Sequence, residues 1–125
     1  MDNRNRILNV VLEEYKITHS QLPGVAKDYL LNNPSDHEMM YTIGRYLSTK
    51  SDRNDKEVKK ATSLIKDASS INPNSLIYLD LLASLYEDQG KSKKVKSTFE
   101  RAMKIAKEQG LDFKKYEAKI IKMEG

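Results

Sequence analysis

Apolar residues along this chain recur at helical spacings and almost nowhere alternate. Between residues 3 and 18, Ile7, Leu8, Val11, Leu12 and Tyr15 fall at i, i+3, i+4 and i+7 steps, one face of a helix capped by Asp2. A shorter helix is predicted over 23–32, with Val25, Ala26, Tyr29 and Leu30 inward. Asn33-Pro34 stops it, because a residue ahead of proline is steered away from helical backbone angles. Ser35 and Glu38 match the S-x-x-E pattern of a capping box, which would start a helix reaching about Ser48 with Met39, Met40, Ile43 and Leu47 inward. Gly44 lies inside that helix, where glycine costs ~1 kcal/mol against alanine. Close approach of a second helix is the expected reason for it. The stretch STKSDRND, residues 48–55, reads as a loop. Beyond it, Val58, Ala61, Leu64, Ile65 and Ala68 predict a helix over 55–70 that gives way to Asn72-Pro73. Ser75 caps a helix reaching Gln89, and Gly90 stands where a left-handed C-terminal residue is wanted. The next helix covers 92–109, and Gly110 repeats the device. Asp112 is expected to cap a last helix with Phe113, Tyr116, Ile120 and Met123 on one side. No segment combines period-two alternation with β-branched enrichment, so the fold class is all-α.

These seven predicted helices carry a repeat. Asn33-Pro34 and Asn72-Pro73 lie 39 residues apart, each just ahead of a serine-led helix start. Hairpin, proline and hairpin again make the layout of a helical solenoid. Within residues 74–110, Leu79, Leu82, Ala83, Tyr86, Gly90, Val95, Phe99 and Ala102 keep the order of large and small residues, with Pro73 just before them. In that order the segment resembles a tetratricopeptide repeat. Two departures stand out: Leu79 where the family often has tryptophan, and Val95 where alanine is usual. Met40, Ile43, Gly44, Leu47, Ala61, Ile65, Ala68 and Pro73 fit the same pattern over 35–73, with STKSDRND as an insertion. Residues 3–34 fit more loosely, with Tyr29 replacing a small residue. The resemblance implies one domain over 1–125, a right-handed α-α superhelix of about three hairpins (3–34, 35–73, 74–110) closed by a terminal helix over 111–123.

The same resemblance implies a function. Stacked repeats of this family curve, and the first helix of each lines an inner groove that holds a partner polypeptide. Groove residues would be Arg6, Asn9, Glu13, Lys16 and Ile17, then Glu38, Tyr41, Arg45, Ser48 and Thr49, then Ile77, Asp80, Ser84, Glu87 and Asp88. Some members grip a C-terminal carboxylate with basic and asparagine side chains. The matching sites here are Asn9, Glu13, Thr42, Ile77 and Leu81, none of them basic, and Glu13 would repel the ligand. A carboxylate clamp is therefore rejected.

Charge sharpens the expected partner. The chain is 125 residues long with a net charge of +4, and 38% of it is apolar and 32% charged. Residues 1–50 balance six acids with six bases, so the excess lies beyond them. Lys91 to Lys107 alone holds seven bases and one acid. In the last hairpin the groove helix carries Asp80, Glu87 and Asp88, whereas the outer helix presents Lys91, Lys93, Lys94, Lys96 and Lys104. An acidic groove of this kind suits a basic or amphipathic segment of another protein, with Tyr41 as an amphipathic anchor. The lysine-rich face is read either as a solvated helix surface or as a contact for nucleic acid or anionic membrane. Phe99 is the one aromatic among those lysines, and the repeat pattern buries it, which speaks against nucleic acid. Membrane contact would need the apolar side that packing already uses. Self-association through Ile7, Leu8 and Tyr29 is a further expectation, since the loosely matched first repeat leaves them partly uncovered.

Little in the sequence points to catalysis. It has no cysteine, no H-E-x-x-H, no phosphate-binding glycine loop and no G-x-G-x-x-G. His19 falls in a predicted loop and His37 in the first turn of a helix, where solvent exposure or local capping is expected. Glu13-Glu14 and Glu87-Asp88 are adjacent acids rather than a spaced catalytic pair. A non-enzymatic protein without cofactor or metal is expected. With no secretory signal pattern at its start and no long apolar run, a cytoplasmic location is expected as well.

Overall fold

The computed structural model describes residues 32–49 and 53–124. The predicted helices over 3–18 and 23–32 lie, but for Asn32, outside the described residues. So do Arg6, Asn9, Glu13, Lys16, Ile17 and the apolar trio Ile7, Leu8 and Tyr29. Among the described residues the protein is all-helical, with α1 (His37–Thr49), α2 (Asp55–Ile71), α3 (Leu76–Asp88), α4 (Ser92–Glu108) and α5 (Lys114–Glu124). Each helix packs chiefly on the next in sequence, and α1 also reaches α3.

Local chemistry sets the helix ends. Asp36, not Ser35, caps α1: its carboxylate accepts from the Met39 amide at 3.1 Å, so the helix begins one residue later than the S-x-x-E pattern suggests. A true capping box opens α2, where Asn54 accepts from the Glu57 amide and the Glu57 carboxylate accepts from the Asn54 amide. The Ser75 hydroxyl takes the Tyr78 amide, as expected from the sequence. Gly90 and Gly110 adopt φ +67° and +70°. After α3 the Lys91 amide bonds to the Tyr86 carbonyl and the Gly90 amide to the Glu87 carbonyl. Leu111 to Ala106 and Gly110 to Lys107 repeat this pairing after α4. Both are Schellman motifs, which glycine enters without the penalty a Cβ brings at positive φ. Asp112 lies just outside α5 and accepts from the Lys114 amide, so that helix starts later than predicted.

One core runs through all five described helices. Met39, Met40, Ile43 and Leu47 of α1 meet the α2 stripe of Val58, Ala61, Leu64, Ile65 and Ala68, all buried. Gly44 sits at their crossing, where an added Cβ would lie 2.7 Å from Ile65 Cδ1 and 3.3 Å from the Ala61 carbonyl oxygen. The glycine is thus what lets the two helices approach this closely. In α3, Tyr78, Leu79, Leu82, Ala83, Leu85 and Tyr86 are all buried. That arc is wider than one stripe, as befits a helix packed against α1, α2 and α4. Tyr116 and Ile120 anchor α5, with the Tyr116 and Phe99 rings 6.3 Å apart.

Candidate functional site

Three helices lie side by side through contacts that sequence periodicity does not specify. The Tyr41 ring of α1 stacks on Tyr78 of α3, centroids 5.1 Å apart at 28°. His37, also on α1, shares a 2.7 Å hydrogen bond with the Tyr78 hydroxyl, its ring edge-on to that tyrosine. This corrects the expectation of an exposed or locally capping histidine: His37 joins two helices 41 residues apart in the chain. On the other flank of α3, the Tyr116 hydroxyl of α5 donates to Asp80 at 2.7 Å, and Lys115 reaches the same carboxylate at 3.3 Å. Burial, reinforced by the Asp80 hydrogen bond and charge, raises the Tyr116 phenol well above its ordinary range. The order α1–α3–α5 is therefore fastened at both seams.

The outward stripe of this row contains most of the described candidate groove residues. On α1, Glu38 and Tyr41 are half-buried and Arg45 and Thr49 exposed. Ser48 departs from the expectation, being buried with its hydroxyl turned back to the Arg45 carbonyl. On α3, Ile77 is 63% exposed, and Leu81, one turn on, is half-buried. Ser84, Glu87 and Asp88 are exposed and Asp80 half-buried. The three acids do not form a free acidic strip. Asp80 is committed to Tyr116 and Lys115, and Asp88 pairs with Arg53 at 3.6 Å. Glu87 is the one of the three whose side chain has no hydrogen bond or ion pair among the described residues.

The lysine-rich face is also partly committed. Lys94 lies 5.4 Å from the Tyr86 ring centroid, and Lys96 bonds to Glu124 at 2.8 Å, which raises the Lys96 pKa. Lys91, Lys93 and Lys104 are exposed. Lysines of α4 and α5 cover aromatic rings in the same way: Lys107 over Phe113, Lys115 over Tyr116 and Lys119 over Phe99. Two clefts open where α3 finishes and α4 begins. One, of about 690 Å³, is lined by polar groups including Arg53, Asn54, Lys59 and Gln89. The other, of about 540 Å³, has Val95, Phe99 and Met123 in its lining.

No group of metal-ligating side chains large enough to hold an ion occurs among the described residues. None of the described helices is long and apolar enough to cross a membrane. The chain matches no family model, no curated protein and no solved structure.

Proposed function

We propose that the chain is a non-catalytic protein-interaction module of the cytoplasm: a short right-handed array of tetratricopeptide-like hairpins, finished by α5, that holds a segment of another protein. The partner segment lies across the outward face of α1 and α3. The carrying observation is the α1–α3–α5 row, fastened through Tyr41–Tyr78 and Tyr116–Asp80, with Ile77 exposed at its centre. A single exposed isoleucine is ordinary on a protein surface. Its place one turn from half-buried Leu81, on the helix beside Tyr41 and Arg45, makes an apolar centre with a polar rim. With Asp80 and Asp88 already paired, an amphipathic segment suits this face better than a purely basic one.

The test is recovery of a bound protein by the wild type and by two surface variants, Ile77→Asp and Arg45→Glu. Neither side chain is needed for the core, so both variants should melt as the wild type does. Loss of a central contact of this type weakens binding roughly 30-fold or more, so partner recovery should collapse. Undiminished recovery would defeat the proposal. The rival reading places nucleic acid or an anionic membrane on Lys91, Lys93, Lys94, Lys96 and Lys104. A salt titration against duplex DNA, RNA and anionic vesicles decides it, since phosphate binding weakens steeply with salt.

A further inference from the structure

The smaller cleft meets the candidate face only at Glu87, and its lining holds neither Ile77 nor any residue of α1. It is an open depression bordered by the end of α3, the first half of α4 and the last turns of α5, and its volume is about 540 Å³. Val95 and Phe99, both buried in the core, form its floor, and Met123 remains 39% exposed at its edge. Lys91, Lys119 and Lys122 stand on its walls against one acid, Glu87. We propose that this cleft docks an acidic amphipathic helix of a partner protein, with an apolar side chain entering over Val95, Phe99 and Met123 and carboxylates meeting the three lysines.

Charge complementarity selects the occupant. Lys119 and Lys122 are three residues apart on α5, so they project from one ridge about 4.5 Å apart along the axis. Acids one turn apart on a docked helix meet that spacing. Lys96, next to the cleft in sequence order, is already neutralised by Glu124 and adds nothing. Lys119 holds its ammonium 5.0 Å from the Phe99 ring centroid, a position from which it can turn to a carboxylate while its stem shields the floor. The first turn of α4 has no acid and no side-chain cap, and it holds Lys93 and Lys94 beside Lys91. Bases at the positive end of a helix are unfavourable, and an acidic ligand offsets this. Nucleic acid would require exposed rings for stacking, but the cleft's aromatic is buried beneath Lys119. A membrane-binding helix projects its apolar stripe outward, and here Val95 and Phe99 are buried beneath the rim.

The probe is a fluorescein-labelled amphipathic peptide of leucine and glutamate, compared with its leucine–lysine counterpart, duplex DNA and anionic lipid vesicles. Binding is read by anisotropy and located by amide NMR shifts on the full chain. The acidic peptide should bind and shift amides of 91–99 and 119–123 while those of 77–84 stay in place. The double variant Lys119→Glu/Lys122→Glu should weaken it at least about tenfold and admit the basic peptide instead. Met123→Asp should weaken it comparably. Lys122→Gln, which removes no contact within the fold, should weaken it by a smaller factor and guards against misfolding of the double variant. The proposal is overturned if the acidic peptide fails to bind or shifts 77–84 instead. Equal binding by Lys122→Gln and the double variant, or binding of DNA or vesicles in place of the peptide, overturns it as well.

Discussion

Hairpins α1/α2 and α3/α4 are built from the same parts and fix their geometry in different places. In α1/α2 the constraint lies in the middle, where Gly44 lets Ile65 and the Ala61 carbonyl press against the α1 backbone. Where the chain enters α2, the Asn54–Glu57 capping box fixes the helix start. In α3/α4 the constraint lies at the end. Gly90 at φ +67° closes a Schellman turn of three residues, and the helices themselves bury Ala83 and Val95 but no glycine. A tight crossing sets helix register where the helices meet, whereas a short left-handed turn sets it before they meet.

Substitutions should separate the two devices. Gly44→Val is expected to be the most damaging, at about 3 kcal/mol, because the core has no room for the branch. Chemical denaturation would measure it, and Ile65→Val in the same chain should restore part of the loss. Full stability in Gly44→Val would show that the crossing is not tight. Gly90→Ala should cost about 1–2 kcal/mol through backbone strain alone, since nothing lies within 4 Å of the added methyl group. Asn54→Ala should cost ~1 kcal/mol by removing the cap, and thermal melts of these two variants rank turn against cap directly.

An effect no larger than that of the cap is expected at the α3–α5 seam. Tyr116→Phe should lose about 1 kcal/mol at neutral pH with its hydrogen bond to Asp80. Because the folded phenol titrates above its ordinary value of 10.0, the fold binds that proton more tightly than the unfolded chain does. Its stabilisation is therefore complete below pH 10 and fades as pH climbs toward the folded pKa. The wild type should lose stability at alkaline pH more steeply than Tyr116→Phe, and parallel curves would remove the link.

Much of the fold is legible in the chain because its signals are local. Spacing places α2, α3 and α4 within about a residue, and Gly44, Gly90 and Gly110 each mark the close approach or positive φ expected of them. The start of α1 is misread because Ser35 and Asp36 are both good caps and Ser35-x-x-Glu38 fits a box equally well. Asn54-Asp55-Lys56-Glu57 carries the capping box of α2 inside a stretch whose polar composition reads as a loop. The candidate face is harder to read. Its outward stripe follows from helical register, but Tyr41–Tyr78, His37–Tyr78 and Tyr116–Asp80 join residues 36–41 apart, and no periodicity encodes them. The same holds for the pairings that neutralise Asp80 and Asp88, which turned an expected acidic groove into a mixed one.

Placement of a photo-crosslinking side chain at Ile77 and, separately, at Ile71 tests the binding face most directly. Both positions are exposed, at 63% and 43%, and they belong to different helices, α3 and α2. The account predicts that irradiation in cell extract joins a discrete protein to the Ile77 derivative and leaves the Ile71 derivative unmodified. Equal labelling from both positions, or labelling from Ile71 alone, would contradict it.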